Sequence, residues 1–178
     1  MVKHSLATSQ YNVRRVECET AVRHFAKSRP DVQALRDVTE SDLESYGGVA
    51  PAVIFRRARH VITENARVLA AGKALEKGDL VAFGKLMNSS HRSLRDDYEV
   101  SCKELDLMVE LAQAVPGVYG ARMTGGGFGG STVNLIACEN VDEFKETVTR
   151  GYEAETGLTP AIYICTAAEG VGEINDDF

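Results

Sequence analysis

Arg122-Met-Thr-Gly-Gly-Gly-Phe-Gly-Gly-Ser131 decides the reading of this chain, because five glycines surround one phenylalanine between two apolar runs. Each fixed glycine loses roughly 0.5–1 kcal/mol more backbone entropy than alanine, so the cluster needs a reason. A hairpin turn needs only a couple of glycines for its positive φ angles. The surplus points to a loop that another group approaches closely, a phosphate or a neighbouring backbone. Gly125, Gly127 and Gly130 satisfy the spacing G-x-G-x-x-G, and a strand-like run from Val118 to Met123 precedes them. The dinucleotide fingerprint, however, must open a helix, and Ser131-Thr-Val-Asn-Leu-Ile-Ala-Cys138 instead alternates and is rich in β-branched residues. It reads as a second strand. No Gly-Lys-Ser/Thr triplet follows the glycines or occurs elsewhere, which excludes a P-loop.

Outward from the loop, apolar spacing and caps place helices. Asn12 to about Lys27 is amphipathic and stops at Arg29-Pro30; Thr39 to Ser45 is a short helix closed by Gly47-Gly48. Ala52 to Glu76 holds a stripe through Ile54, Ala58, Ile62, Leu69 and Leu75, a rod of roughly 35 Å. Asp79 is the expected N-cap of the next helix, which carries Phe83, Met87 and Leu94. Ser101 and Glu104 form a capping-box pattern for a helix that Pro116-Gly117 stops. Asn140 and Glu143 open another, and Gly157 closes it. Ala161-Ile-Tyr-Ile-Cys-Thr166 reads as a third strand, and Glu173 to Phe178 as a mobile tail. Strand, strand, helix, strand after a helical stretch defines an α+β fold, an antiparallel sheet with helices on one face. Such a sheet needs one more strand near the start. Met1-Val-Lys-His4 is too short for one, so the chain is expected to begin inside or just after a strand.

The chain has 178 residues, 44% hydrophobic and 26% charged, which suits one packed domain. A net charge of -6, with basic residues interleaved among acids, argues against a nucleic-acid partner. The exception, Arg56-Arg57-Arg59, reads as a solvated or subunit-facing helix edge. Cys18, Cys102, Cys138 and Cys165 are widely spaced, and the four histidines lack a second ligand at metal-binding spacing. The cysteines read as reduced thiols of a cytoplasmic protein, and neither a metal site nor a membrane-length apolar run is expected. Asp96 and Asp97 form an adjacent pair that could suggest a general base or a magnesium ligand. Their place just before a helix cap favours hydrogen bonds and ion pairs. Lys3 and Arg122 are read as fold-stabilising cations.

Gly120-Ala-Arg-Met-Thr-Gly-Gly-Gly-Phe-Gly-Gly130 resembles the third signature of the GHMP small-molecule kinases in its galactokinase form. Val2-Lys-His-Ser-Leu-Ala7, Tyr11-Asn-Val-Arg-Arg15, Arg56-Arg-Ala-Arg-His60 and Ser90 to Cys102 resemble further blocks of the C-terminal half of that family, in the same order. Lys103 and Ser131 depart from the pattern, where relatives often have proline and cysteine. The family's first signature and its serine-rich phosphate loop have no counterpart here, and both belong to the N-terminal half. The resemblance therefore implies that residues 1–178 are a GHMP kinase C-terminal domain with a ferredoxin-like sheet.

That domain would phosphorylate galactose at the anomeric hydroxyl only when joined to its N-terminal partner. It implies ATP and magnesium for the full-length enzyme, none bound by this chain alone, and galactose and ATP bound jointly with the missing half. Tyr11 would hydrogen-bond the sugar. Gly125, Gly126, Gly127, Phe128, Gly129 and Gly130 would pack on the N-terminal phosphate loop and shape the nucleotide pocket. The exposed cleft face would favour self-association. A sugar-sensing regulator and an N-acetylgalactosamine kinase are the alternatives.

Overall fold

The structure is a computed structural model that describes residues 7–46 and 50–168. Its helices are α1 (Ala7–Phe25), α2 (Glu40–Tyr46), α3 (Ala52–Glu76), α4 (Leu80–Asp96), α5 (Lys103–Ala114) and α6 (Val141–Thr156). Strands β1 (Val118–Thr124) and β2 (Ser131–Ile136) pair antiparallel across the glycine loop. The register shifts by one residue between Val118 and Gly120, leaving Tyr119 as a bulge. The α+β reading holds, with helices packed against β1. The start of the chain at Met1–His4, expected inside or just after a strand, the tail at Glu173–Phe178 and Lys3 lie outside the described residues.

Local chemistry explains most boundaries. Asp79 caps α4, its carboxylate accepting from the Ala82 N–H at 2.9 Å. Gly157 ends α6 at φ 68, and its N–H bonds the Glu153 carbonyl. The capping box at Ser101 is not formed. α5 starts at Lys103 after Cys102, because the Ser101 hydroxyl instead donates to Asp106 at 2.5 Å.

Ala161–Thr166 does not form the expected third strand. Alternation marks residues able to pair, but a strand needs a neighbour's N–H and C=O groups, and among the described residues β1 pairs only with β2. Ile162 packs against the core while Tyr163 and Ile164 stay exposed.

Apolar burial is divided among three clusters. Phe25, Leu35, Leu43, Ala58 and Ile62 join α1, α2 and α3. Val109, Ala121, Phe144 and Val148 join α5, β1 and α6. Between them, Leu94, Val100, Leu105 and Met123 form a small cluster that Phe128 of the glycine loop completes.

α4 seals the outer edge of β1. Asn88 Oδ1 accepts from the Ala121 N–H at 2.8 Å, and His91 Nδ1 from the Met123 N–H at 3.3 Å. Side chains of a helix thus take the backbone donors that a further strand would otherwise use. Such proximity requires two glycines. A Cβ on Gly84 would fall 2.0 Å from the Tyr119 carbonyl oxygen, and one on Gly120 would fall 2.3 Å from that of Gly84.

Gly84→Ala and Gly120→Ala are each expected to cost about 2–4 kcal/mol through forced separation of helix and strand. Gly72→Ala, at a helix position with nothing within 4 Å of the new Cβ, should stabilise by about 0.5–1 kcal/mol. Urea unfolding of the three variants reads both signs.

Candidate functional site

The glycine loop links β1 to β2, and its backbone explains most of its composition. Gly125, Gly127, Gly129 and Gly130 have φ of 82, 81, 123 and 108, a region that side chains rarely adopt. Phe128 itself sits at φ 59. Close approach is real at one position: a Cβ on Gly127 would lie 2.2 Å from the Val100 carbonyl oxygen. That same oxygen accepts from the Phe128 N–H at 2.7 Å. The loop therefore has a partner within its own chain, the segment after α4, where a partner in another domain was expected. Gly125, Gly126 and Gly130 have no heavy atom within 4 Å of an added Cβ, so this side of the loop is open to approach. Nothing in the described chain requires glycine at Gly126.

The segment Asp97–Val100 is in turn held by arginines. Arg57, 2% exposed, donates to Glu17 at 2.8 Å, to the Asp97 carbonyl at 2.6 Å and to Glu99 at 2.6 Å. Arg14, also buried, donates to the carbonyls of Tyr98 at 2.6 Å and Glu99 at 2.9 Å. Arg56 pairs with Glu99, and Arg59 with Asp97. This corrects the reading of Arg56-Arg57-Arg59 as a solvated or subunit-facing edge at Arg57, which is buried; all three arginines pair with acids of this chain in one ion-pair knot, Arg56 and Arg59 at its partly exposed rim. Its acids come from segments about 40 residues away in sequence, so inspection of α3 alone could not find them.

Tyr11 lies on α1, 66% exposed, in a groove shared with Cys18, Val22, Leu35, Val61 and Tyr98. Tyr98 is the back wall. Its hydroxyl lies 3.8 Å from the Cys18 sulfur, and burial pushes its pKa well above the ordinary tyrosine range. Burial also raises the Cys18 thiol, so Cys18 is no nucleophile at neutral pH. Beneath the groove His60 stacks on Tyr98 with ring centroids 4.5 Å apart. His60 Nδ1 meets the Ser93 hydroxyl at 3.0 Å, and that hydroxyl donates to Asp97 at 3.1 Å. With the hydroxyl proton given to Asp97, His60 Nδ1 must be the donor. One short segment, Tyr98-Glu99-Val100, thus walls the Tyr11 groove at one end and receives the glycine loop at the other.

The remaining candidates are engaged in the fold. Asp96 pairs with Arg95, whose hydrogen bond holds the carboxyl below its ordinary value. Asp97 is buried between Ser93 and Arg59. Arg122 bonds the Met123 carbonyl and reaches Glu64 at 3.3 Å, the fold-stabilising role expected of it. No group of three or more His, Cys, Asp and Glu among the described residues could hold a metal ion. No helix among them is long and apolar enough to cross a membrane. Sequence reasoning missed Arg14, Glu99 and Val100, whose roles depend on contacts across the chain.

Residues 72–154 match the family model described as GHMP kinases C terminal. Around that match, the chain is similar over nearly its whole length to galactokinases. It is 54% identical over 170 residues to the galactokinase of Chloroflexus aurantiacus, covering 96% of this chain and 44% of that protein. Against the galactokinase of Homo sapiens it is 49% identical over 169 residues, covering 95% of this chain and 41% of that protein. A crystal structure of Lactococcus lactis galactokinase complexed with galactose superposes with a TM-score of 0.83 at 40% identity, covering 89% of this chain and 41% of that one. The chain thus spans less than half the length of these relatives.

Gly127→Ala is expected to cost at least about 2 kcal/mol, since it combines a positive φ with a backbone collision, whereas Gly126→Ala should leave the stability of the chain unchanged. Thermal melting of both variants checks the contrast. A second expectation concerns acid. Burial lowers His60 from 6.5 to about 4, and lowers His91 in the same direction. Between pH 6.5 and 4 the unfolded chain binds the extra proton, so stability is full above pH 6.5 and falls as pH drops through that window. The His60 contribution is about 3 kcal/mol. An NMR titration should show the His60 ring neutral at pH 5, and urea midpoints should fall between pH 7 and 5.

Proposed function

We propose that this chain is the C-terminal half of a galactokinase. Joined to an N-terminal half, it serves transfer of the γ-phosphoryl group of ATP to the anomeric hydroxyl of galactose. The observation that carries the reading is the likeness, over nearly the whole chain, to galactokinases that include one solved with galactose. Such a transfer relies on positioning and charge stabilisation, which a cleft between two halves supplies. Tyr11 offers a hydroxyl at the rim of the groove as a hydrogen-bond partner for the sugar. The loop from Gly125 to Gly130 forms one wall of the nucleotide site. Its open side, at Gly125, Gly126 and Gly130, suits a phosphate loop of the other half, because any Cβ there would push the two loops apart.

The chain by itself is proposed to be inactive. The acids that sequence reading weighed as a base, Asp96 and Asp97, are engaged with Arg95, Ser93 and Arg59. Magnesium ligands are assigned to the N-terminal half, and the setting to the cytoplasm. The exposed Val133, Tyr163 and Ile164 favour self-association of the isolated chain.

The test is an ATP-dependent galactose phosphorylation assay, on the chain alone and on the chain fused to the N-terminal half of the Chloroflexus aurantiacus relative. No turnover is expected alone and turnover is expected from the fusion. In the fusion, Tyr11→Phe should raise the galactose KM by about tenfold, the worth of one hydrogen bond to substrate. Turnover by the chain alone at an ordinary enzyme rate, or an inactive but folded fusion, would sink the proposal.

A further inference from the structure

Glu99 has φ 53, a left-handed conformation that glycine takes freely and other residues at a cost. Three arginines from two helices hold it there. Arg14 clamps the backbone through the carbonyls of Tyr98 and Glu99. Arg56 at 2.8 Å and Arg57 at 2.6 Å clamp the two carboxylate oxygens. Arg57 holds the Glu99 carboxyl below the ordinary glutamate range, so the charge is present at neutral pH. The next residue supplies the carbonyl that receives the Phe128 N–H and that fills the space beside Gly127. The Glu99 side chain, 43% exposed, makes no contribution to a core. A residue serving only as a turn at this φ would be glycine or asparagine, with no need of a carboxylate.

We propose that Glu99 is a positioning residue for the glycine loop. Its carboxylate, tied to Arg56 and Arg57, fixes the Val100 carbonyl where the Phe128 N–H needs it, and so sets the loop relative to the Tyr98 wall of the Tyr11 groove. Glu99 touches no substrate; it acts through Val100. The inference rests on the loop being a wall of the nucleotide site, but its test does not use catalysis.

Amide hydrogen exchange, followed by NMR on the whole 178-residue chain, separates this role from general stability. Glu99→Gly removes the carboxylate while making the left-handed backbone easy, and Arg57 keeps Glu17 and the Asp97 carbonyl, so the chain should remain folded. Phe128 N–H exchange is expected to accelerate by about tenfold or more, with β1 and β2 ladder amides unchanged. Glu99→Gln, whose one acceptor oxygen can serve Arg56 or Arg57 but not both, should recover only part of the protection. Unchanged Phe128 exchange in Glu99→Gly overturns the proposal. So does a loss shared equally by the ladder amides. An inactive fusion enzyme would count against the kinase reading alone, and unchanged exchange against Glu99 alone.

Discussion

A guanidinium 2% exposed to solvent has to be satisfied on every side, and the way Arg57 meets that requirement organises the helical part of this chain. Its three contacts draw on α1 through Glu17, on the end of α4 through the Asp97 carbonyl, and on the following turn through Glu99. A buried ion pair contributes little net stability, yet removing one partner strands a charge at a cost of about 3–5 kcal/mol. The arrangement therefore acts on specificity. Apolar packing of α1 on α3 through Ala21, Phe25, Ala58 and Ile62 would tolerate a small slide, whereas the fork of Arg57 accepts one register.

From that knot the order propagates toward the loop. Arg14 and Arg57 fix the turn, the turn fixes the Val100 carbonyl, and Val100 fixes Phe128 and Gly127. Phe128 then drives its ring into the small cluster of Leu94, Leu105 and Met123. The aromatic residue among the glycines is thus an anchor: it ties one side of the loop to the protein and leaves Gly125 and Gly126 facing open space.

Features that rest on neighbouring residues were legible in the sequence. Ala52–Glu76 is a helix over the span its apolar stripe marks, Asp79 caps as its position before Leu80 implies, and Gly157 stops α6. Features that rest on a distant partner were not. The Ser101 hydroxyl had two roles in reach, accepting from the first N–H groups of the helix or donating to a carboxylate, and it donates to Asp106. Ala161–Thr166 has the alternation of a strand without a described neighbour to pair with. The loop was recognised as a site of close approach, but the approaching group at Gly127, Val100, lies 27 residues earlier and carries no local mark. For Tyr11 the sequence supplied a candidate and the structure supplied its groove.

The contact between α4 and β1 bears on how this small sheet can grow. Because Asn88 and His91 occupy the outward donors of Ala121 and Met123, a strand cannot be added beside β1 without first detaching a helix. Among the described residues the outer edge of β2 pairs with no further strand. A sheet with one such edge joins a single partner, or a second copy head to head, and then has no edge left. Open-ended stacking needs two. Gly84, by letting a helix lie close enough to occupy one of them, removes one edge at which the described sheet could be extended.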